Sequence, residues 1–122
     1  MKPLEKELLA RKTLERMFGT LLPKRKLVIG YDSKNFPRIH QFDLVSDDSE
    51  IVGEIKASKK DDSGVNYDSA LADCFYLTKV KAKKKILVLT DHEFYEYFKE
   101  KSSGIIPNDI EIIFVPVESH LV

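Results

Sequence analysis

The sequence predicts an α/β domain with a mixed central sheet, its elements in the order α-β-β-β-α-β with one further α-β pair at the end. Two patterns carry this. Apolar residues recur at helical spacing in three segments, and between them lie stretches that alternate with period two or run briefly apolar. Arithmetic adds a third observation: 122 residues, 43% of them apolar, suit one domain (residues 1–122) with a real core.

The first helix is read from Pro3 to about Leu22, because Pro3 suits a first helical position and Pro23 ends the run. Leu4, Leu8, Ala10, Leu14, Met17, Phe18 and Leu21 gather on one face. Glu7 falls within that face, whereas Glu5, Lys12 and Arg16 point away. A carboxylate on an apolar stripe either reaches solvent, pairs with Arg11 at i+4, or serves a site. Strands follow at Lys26–Tyr31, Ile39–Ser46 and Glu50–Ser58, the last two joined as a hairpin by the turn residues Asp47, Asp48 and Ser49. Lys59–Val65 is polar and reads as a loop. The second helix is expected from about Asn66 to Lys81, with Tyr67, Ala70, Leu71, Cys74, Leu77 and Thr78 on one face. Cys74 is therefore a core residue and not a nucleophile. Lys85–Thr90 is a strand buried on both faces. His92–Lys101 is a third helix capped by Asp91, and Ile110–Val117 is the closing strand.

Several function classes drop out. One cysteine allows neither an internal disulfide nor a CxxC zinc site, and a reducing compartment is its natural home. No apolar stretch approaches the ~20 residues of a membrane helix, and the start lacks an apolar signal core, so a cytoplasmic location is expected. There is no GxxxxGK[ST], GxGxxG or GxSxG, and His40, His92 and His120 show no HxxxH or HExxH spacing. The 20 basic and 20 acidic residues cancel, but Lys24-Arg25-Lys26, Lys59-Lys60 and Lys83-Lys84-Lys85 form basic knots. Such knots are either solvated turns or part of a phosphate path.

The hairpin is the informative segment. A turn of two or four residues puts Leu44 opposite Gly53 and Phe42 opposite Ile55, one apolar face. The other face then carries Gln41, Asp43 and Val45 against Lys56, Glu54 and Val52. Asp43 falls directly opposite Glu54. Like charges opposed across a strand pair destabilise it. The pair is therefore either an ordinary exposed face or, with Lys56 beside it, a seat for a hard divalent cation near a phosphate.

Phe42-Asp43, the hairpin, and Gly53-Glu54-Ile55-Lys56 resemble the D…ExK signature of the PD-(D/E)XK nuclease superfamily, the restriction-endonuclease-like fold. The resemblance covers residues 3 to 91, and the small resolvase-like or stand-alone nuclease branch is the most similar. It implies that Asp43 and Glu54, with the Ile55 carbonyl, bind Mg²⁺ (Mn²⁺ substituting), and that Lys56 orients or activates the attacking water. It also implies a helical Glu facing the metal, which is Glu7, or Glu5 in its place. Ser58 and the start of the second helix (Asn66, Tyr67, Asp68) would border the site. Phe42 stands where the family has Pro, and the Gln-x-x-x-Tyr motif of the RecB-like branch is missing.

The expected activity is endonucleolytic hydrolysis of DNA leaving a 5′-phosphate, with RNA as an open alternative. Ser58, Lys59, Lys60, Lys24 and Arg25 are the expected nucleic-acid contacts. Two-strand cleavage would need a homodimer; residues 105–122, with Phe114, and the aromatic third helix either offer it an apolar surface or simply pack into the core. The competing expectations are a catalytically silent relative that binds nucleic acid or protein, and an unrelated α/β binding domain.

Overall fold

The computed structural model describes residues 1–117. Helix α1 spans Pro3–Phe18 and stops four residues short of the expected end, because Gly19 turns left-handed (φ 65°) and its N–H closes on the Glu15 carbonyl. The Glu15 carboxylate then accepts the Leu22 N–H at 2.8 Å. Strands β1 (Arg25–Tyr31) and β2 (Pro37–Phe42) form an antiparallel two-stranded ribbon. β3 (Leu44–Val45) and β4 (Ile51–Lys56) follow, then α2 (Val65–Leu77), β5 (Lys84–Leu89), α3 (His92–Lys101) and β6 (Ile110–Phe114). Helix α2 ends at Leu77, earlier than the expected Lys81, and β6 ends at Phe114, before Pro116. Residues 118–122, with His120, lie outside the described part.

The second sheet has the order β3-β4-β5-β6. β3 and β4 are antiparallel, while β4, β5 and β6 are parallel and joined by α2 and α3. The mixed α/β class is therefore as expected, but the expected single sheet is two. The strand foreseen as Ile39–Ser46 is broken at Asp43, where β2 leaves for the ribbon and β3 stays with β4. The hairpin register is the one the apolar alternation predicts, Leu44 opposite Gly53 and Val45 opposite Val52.

Two cores sandwich the larger sheet. Ala10 and Leu14 of α1, with Leu22, pack on Leu44, Ile55, Ile86 and Val88. Tyr67, Ala70, Cys74 and Leu77 of α2 and Phe94 and Phe98 of α3 pack on Val45, Val52, Leu87 and Leu89. Cys74 is buried, as expected. The break at Asp43 sends Phe42 into this second core, away from Leu44, so the expected Phe42/Leu44 face does not form. Of the two readings of the third helix's aromatic residues, a surface for a second copy or core packing, Phe94 and Phe98 follow the second and fill this chain's own core. Conversely, Leu4, Leu8, Met17 and Leu21 of the expected α1 face are exposed. The helix buries its narrow Ala10/Leu14 side instead.

Gly53 lets Ile86 of β5 approach its backbone closely. A Cβ there would lie 2.5 Å from Ile86 Cγ1 and 2.9 Å from the Ile86 carbonyl oxygen. Gly53→Ala is expected to destabilise the protein by about 1–3 kcal/mol through overpacking. A denaturant midpoint equal to that of the wild type would contradict this close approach.

Candidate active site

Strand β4 alternates across the sheet, so Val52, Glu54 and Lys56 share the face covered by α2, and Gly53 and Ile55 share the face covered by α1. Glu54 and Lys56 stand at the carboxyl end of β4, where open parallel sheets place their ligands. The face expected to be solvent-exposed in the simplest reading is not: Glu54 is only 4% exposed.

The break at Asp43 is held by a reciprocal clamp. The Asp43 N–H donates to Glu54 Oε1 at 3.0 Å, and the Ile55 N–H donates to Asp43 Oδ2 at 2.9 Å. Glu54 thus grips the backbone of Asp43 itself, Asp43 grips the backbone next to Glu54, and the two are fixed next to each other despite their like charge. From α1, the Arg11 guanidinium donates to the carbonyls of Leu22 and Asp43 and fastens the bend from behind. In an extended strand the N–H and C=O of one residue point the same way. The Ile55 carbonyl therefore faces the gap that holds Asp43.

Two further residues join the cluster that sequence reasoning did not select. Asp73, on α2, meets Lys56 Nζ at 3.2 Å and shares a hydrogen bond with Glu54. His40, on β2, lies 3.1 Å through Nε2 from Glu54 Oε2 and stacks on Tyr76 with ring centroids 3.9 Å apart. Asp73 did leave a signal: it borders the α2 apolar stripe, three residues after Ala70 and four before Leu77. The same criterion singled out Glu7 on α1. His40 left none, since only the break in the strand turns it toward Glu54.

Electrostatics follow from burial. Three carboxylates face one ammonium, so the cluster carries excess negative charge if all ionise. Burial, then the neighbouring Asp73 and Asp43, push the Glu54 carboxyl up to about 9. Burial also raises Asp73, against the pull of Lys56. His40 is pushed down by its own burial, although Asp73 and Asp43 oppose this. In the absence of a cation, a proton on Glu54 relieves the repulsion.

The other expected site residues are dispersed. Glu7 is held by Lys24 at 3.6 Å, on the helix that packs against the opposite sheet face from Glu54. It does not join Asp43 and Glu54. Glu5, its substitute, is exposed and lines the same apolar groove on α1 as Leu4 and Leu8. Arg25 pairs with Asp47 at 3.6 Å on the surface. Ser58, Lys59 and Lys60 lie on the loop leaving β4, just past Lys56; the last two are exposed, and Lys60 Nζ sits 4.7 Å from the centre of the Tyr97 ring. Asn66 and Tyr67 open α2, with the Asn66 amide donating to the Lys59 carbonyl at 2.7 Å.

Among the described residues, no three His, Cys, Asp or Glu side chains converge into a ready-made metal cage. Mg²⁺ does not require one, because it commonly takes one or two carboxylates and keeps several waters. Two clamped carboxylates, an adjacent backbone carbonyl and an excess of buried negative charge fit such an ion. Searches against protein-family models, curated proteins and solved structures found no match to this chain. Among the described residues no helix is long and apolar enough to cross a membrane.

Proposed function

We propose that the chain is a metal-dependent endonuclease that hydrolyses DNA phosphodiester bonds at the Asp43/Glu54/Lys56 cluster, within a restriction-endonuclease-like fold. The observation that carries this reading is the reciprocal clamp, which holds two like charges together at the carboxyl end of β4 beside a lysine. Such an arrangement is costly unless a cation or a proton compensates it. The element order, two antiparallel strands feeding a parallel sheet through α2, supports it as well.

Asp43, Glu54 and the Ile55 carbonyl would hold Mg²⁺ or Mn²⁺. When bound, such an ion polarises a phosphate oxygen and lowers the pKa of a coordinated water. Lys56 presents a point charge where negative charge grows on the phosphate. Asp73 orients that ammonium, and His40 steadies Glu54 from the ribbon side. Lys59 and Lys60 extend the positive path along the emerging loop. One site cuts one strand, so a double-strand break calls for two copies of the chain.

Nicking of supercoiled DNA is expected in Mg²⁺ or Mn²⁺, absent in EDTA, and reduced at least 100-fold in Asp43→Asn. The second reading is a catalytically silent nucleic-acid-binding domain, favoured by how fully Glu54 is already satisfied by Asp43, His40 and Asp73. Equal residual nicking by wild type and Asp43→Asn, with no rise in melting temperature on adding Mn²⁺, would select it.

A further inference from the structure

The β1–β2 ribbon is chemically unlike the rest of the chain. Residues 24–42 hold five basic side chains and a single acid, in a protein whose total charge is zero. That acid, Asp32, is committed to the tip. Its carboxylate accepts the Lys34 and Phe36 N–H groups at 2.9 Å each, and its own N–H donates to the Phe36 carbonyl. Asn35 takes the left-handed conformation (φ 67°) that the turn requires. The tip is thus a closed, preorganised turn.

The ribbon has two faces. Leu27 and Ile29 pack against the α2/α3 core. The opposite face shows Val28 paired with Ile39 and Lys26 paired with Gln41, all exposed. At the tip Tyr31 (64% exposed) and Phe36 (63%) flank Lys34 and Arg38. Among the described residues neither ring contacts another aromatic ring, and Lys26, Lys34 and Arg38 enter no ion pair. The register slips at Ile29, and such a bulge adds twist to the ribbon. The strand that leaves the tip runs through His40 directly to Asp43, so whatever the ribbon holds is led to the acidic cluster.

We propose that this ribbon is a nucleic-acid-gripping arm: Lys26, Lys34 and Arg38 hold phosphates, and Tyr31 and Phe36 stack on unpaired bases. The proposal rests on the nucleic-acid reading above and narrows its substrate to DNA with a single-stranded branch or fork. Base-paired bases keep their faces occupied by neighbours, whereas splayed bases offer them to exposed rings. The charge complementarity supplies affinity, and the rings supply the preference.

The test is fluorescence anisotropy in EDTA with labelled duplex and forked oligonucleotides. Tyr31→Ala/Phe36→Ala is expected to weaken fork binding by about 5-fold or more per ring and to leave duplex binding within about 2-fold. Lys34→Glu/Arg38→Glu should weaken both and flatten the log–log salt slope by about 1–2. Circular dichroism and melting curves verify that these surface variants fold. Unchanged fork affinity in the aromatic variant, or an equal loss on duplex, overturns the stacking arm. So does a dimer in sedimentation that Ile39→Lys splits while no ribbon variant alters DNA binding, since that assigns the face to a second copy. Because binding is read without metal, it is independent of cleavage. Cleavage with ribbon-independent binding overturns the arm and spares the hydrolase; ribbon-dependent binding without cleavage in any metal does the reverse.

Discussion

Replacing Lys56 with alanine is expected to slow metal-dependent strand cleavage by about 10²–10⁴-fold, the usual range for losing a positioned charge or proton-transfer group. Lys56 follows Glu54 by two residues on β4 and thus shares its face, and its ammonium is held by Asp73 at 3.2 Å. Such tethering means that little reorganisation is needed as charge develops. The substitution also leaves Asp73 without its counter-ion, so a melting curve must accompany the rate. Lys56→Arg separates two roles. It keeps a charge but cannot give up its proton. Activity retained by arginine and lost by alanine identifies electrostatic stabilisation; loss in both identifies a proton-handling role. Full cleavage by the alanine variant, in a preparation free of other nucleases, would remove Lys56 from the mechanism.

The second large effect concerns stability. Glu54→Gln is expected to stabilise the metal-free protein at pH 7–8 by about 1–3 kcal/mol. Glutamine keeps an oxygen for the Asp43 N–H and offers amide protons to Asp73 or His40. It no longer has to bind a proton on folding. The sign follows from linkage. The folded carboxyl titrates near 9 and the unfolded one near 4.5, so the folded state holds the extra proton between them. Stability from this group is whole below about pH 4.5 and is lost as pH rises toward 9, by at most about 1.4 kcal/mol per pH unit. Wild type should therefore weaken across pH 5–9 more steeply than the variant. Mn²⁺ should reverse the order at pH 8, stabilising wild type and leaving Glu54→Gln unmoved. Superimposable pH–stability profiles for the two proteins would show that Glu54 carries no such burden.

What could be read from the sequence was whatever repeats locally. The Leu44/Gly53 and Val45/Val52 register followed from alternation, although the face that carries Glu54 proved to be covered by α2. The Asp91 cap and α3 limits followed from side-chain chemistry adjacent in the chain. Long-range consequences were hidden. Nothing in Ile39–Ser46 announces that the strand breaks at Asp43, because the bend is held by Arg11 and Glu54 from elsewhere. That break moved Phe42 to the other core and brought His40 onto Glu54. Similarly, the resemblance implies Glu7 at the site through its helical face and its spacing to Leu14 and Gly19, but α1 covers the sheet surface from which Glu54 points away. Asp73 occupies the right surface because α2, the crossover between β4 and β5, must lie over it.

The break at Asp43 has a further consequence for cooperativity. It divides the cluster between two structural units: His40 belongs to the ribbon, Glu54 and Lys56 belong to the sheet, and Asp43 is the seam. The sheet unit is anchored by β5, whose Ile86–Leu89 are fully buried, whereas the ribbon shows much of its apolar surface to water. Segments with less buried apolar contact open locally at lower free energy than the global unfolding event. Opening the ribbon separates His40 from Glu54 and loosens Asp43, yet leaves Glu54, Lys56 and Asp73 standing on the sheet and α2. The complete cluster is therefore governed by a sub-global equilibrium, and a ligand gripped by the ribbon, as proposed above, would shift that equilibrium.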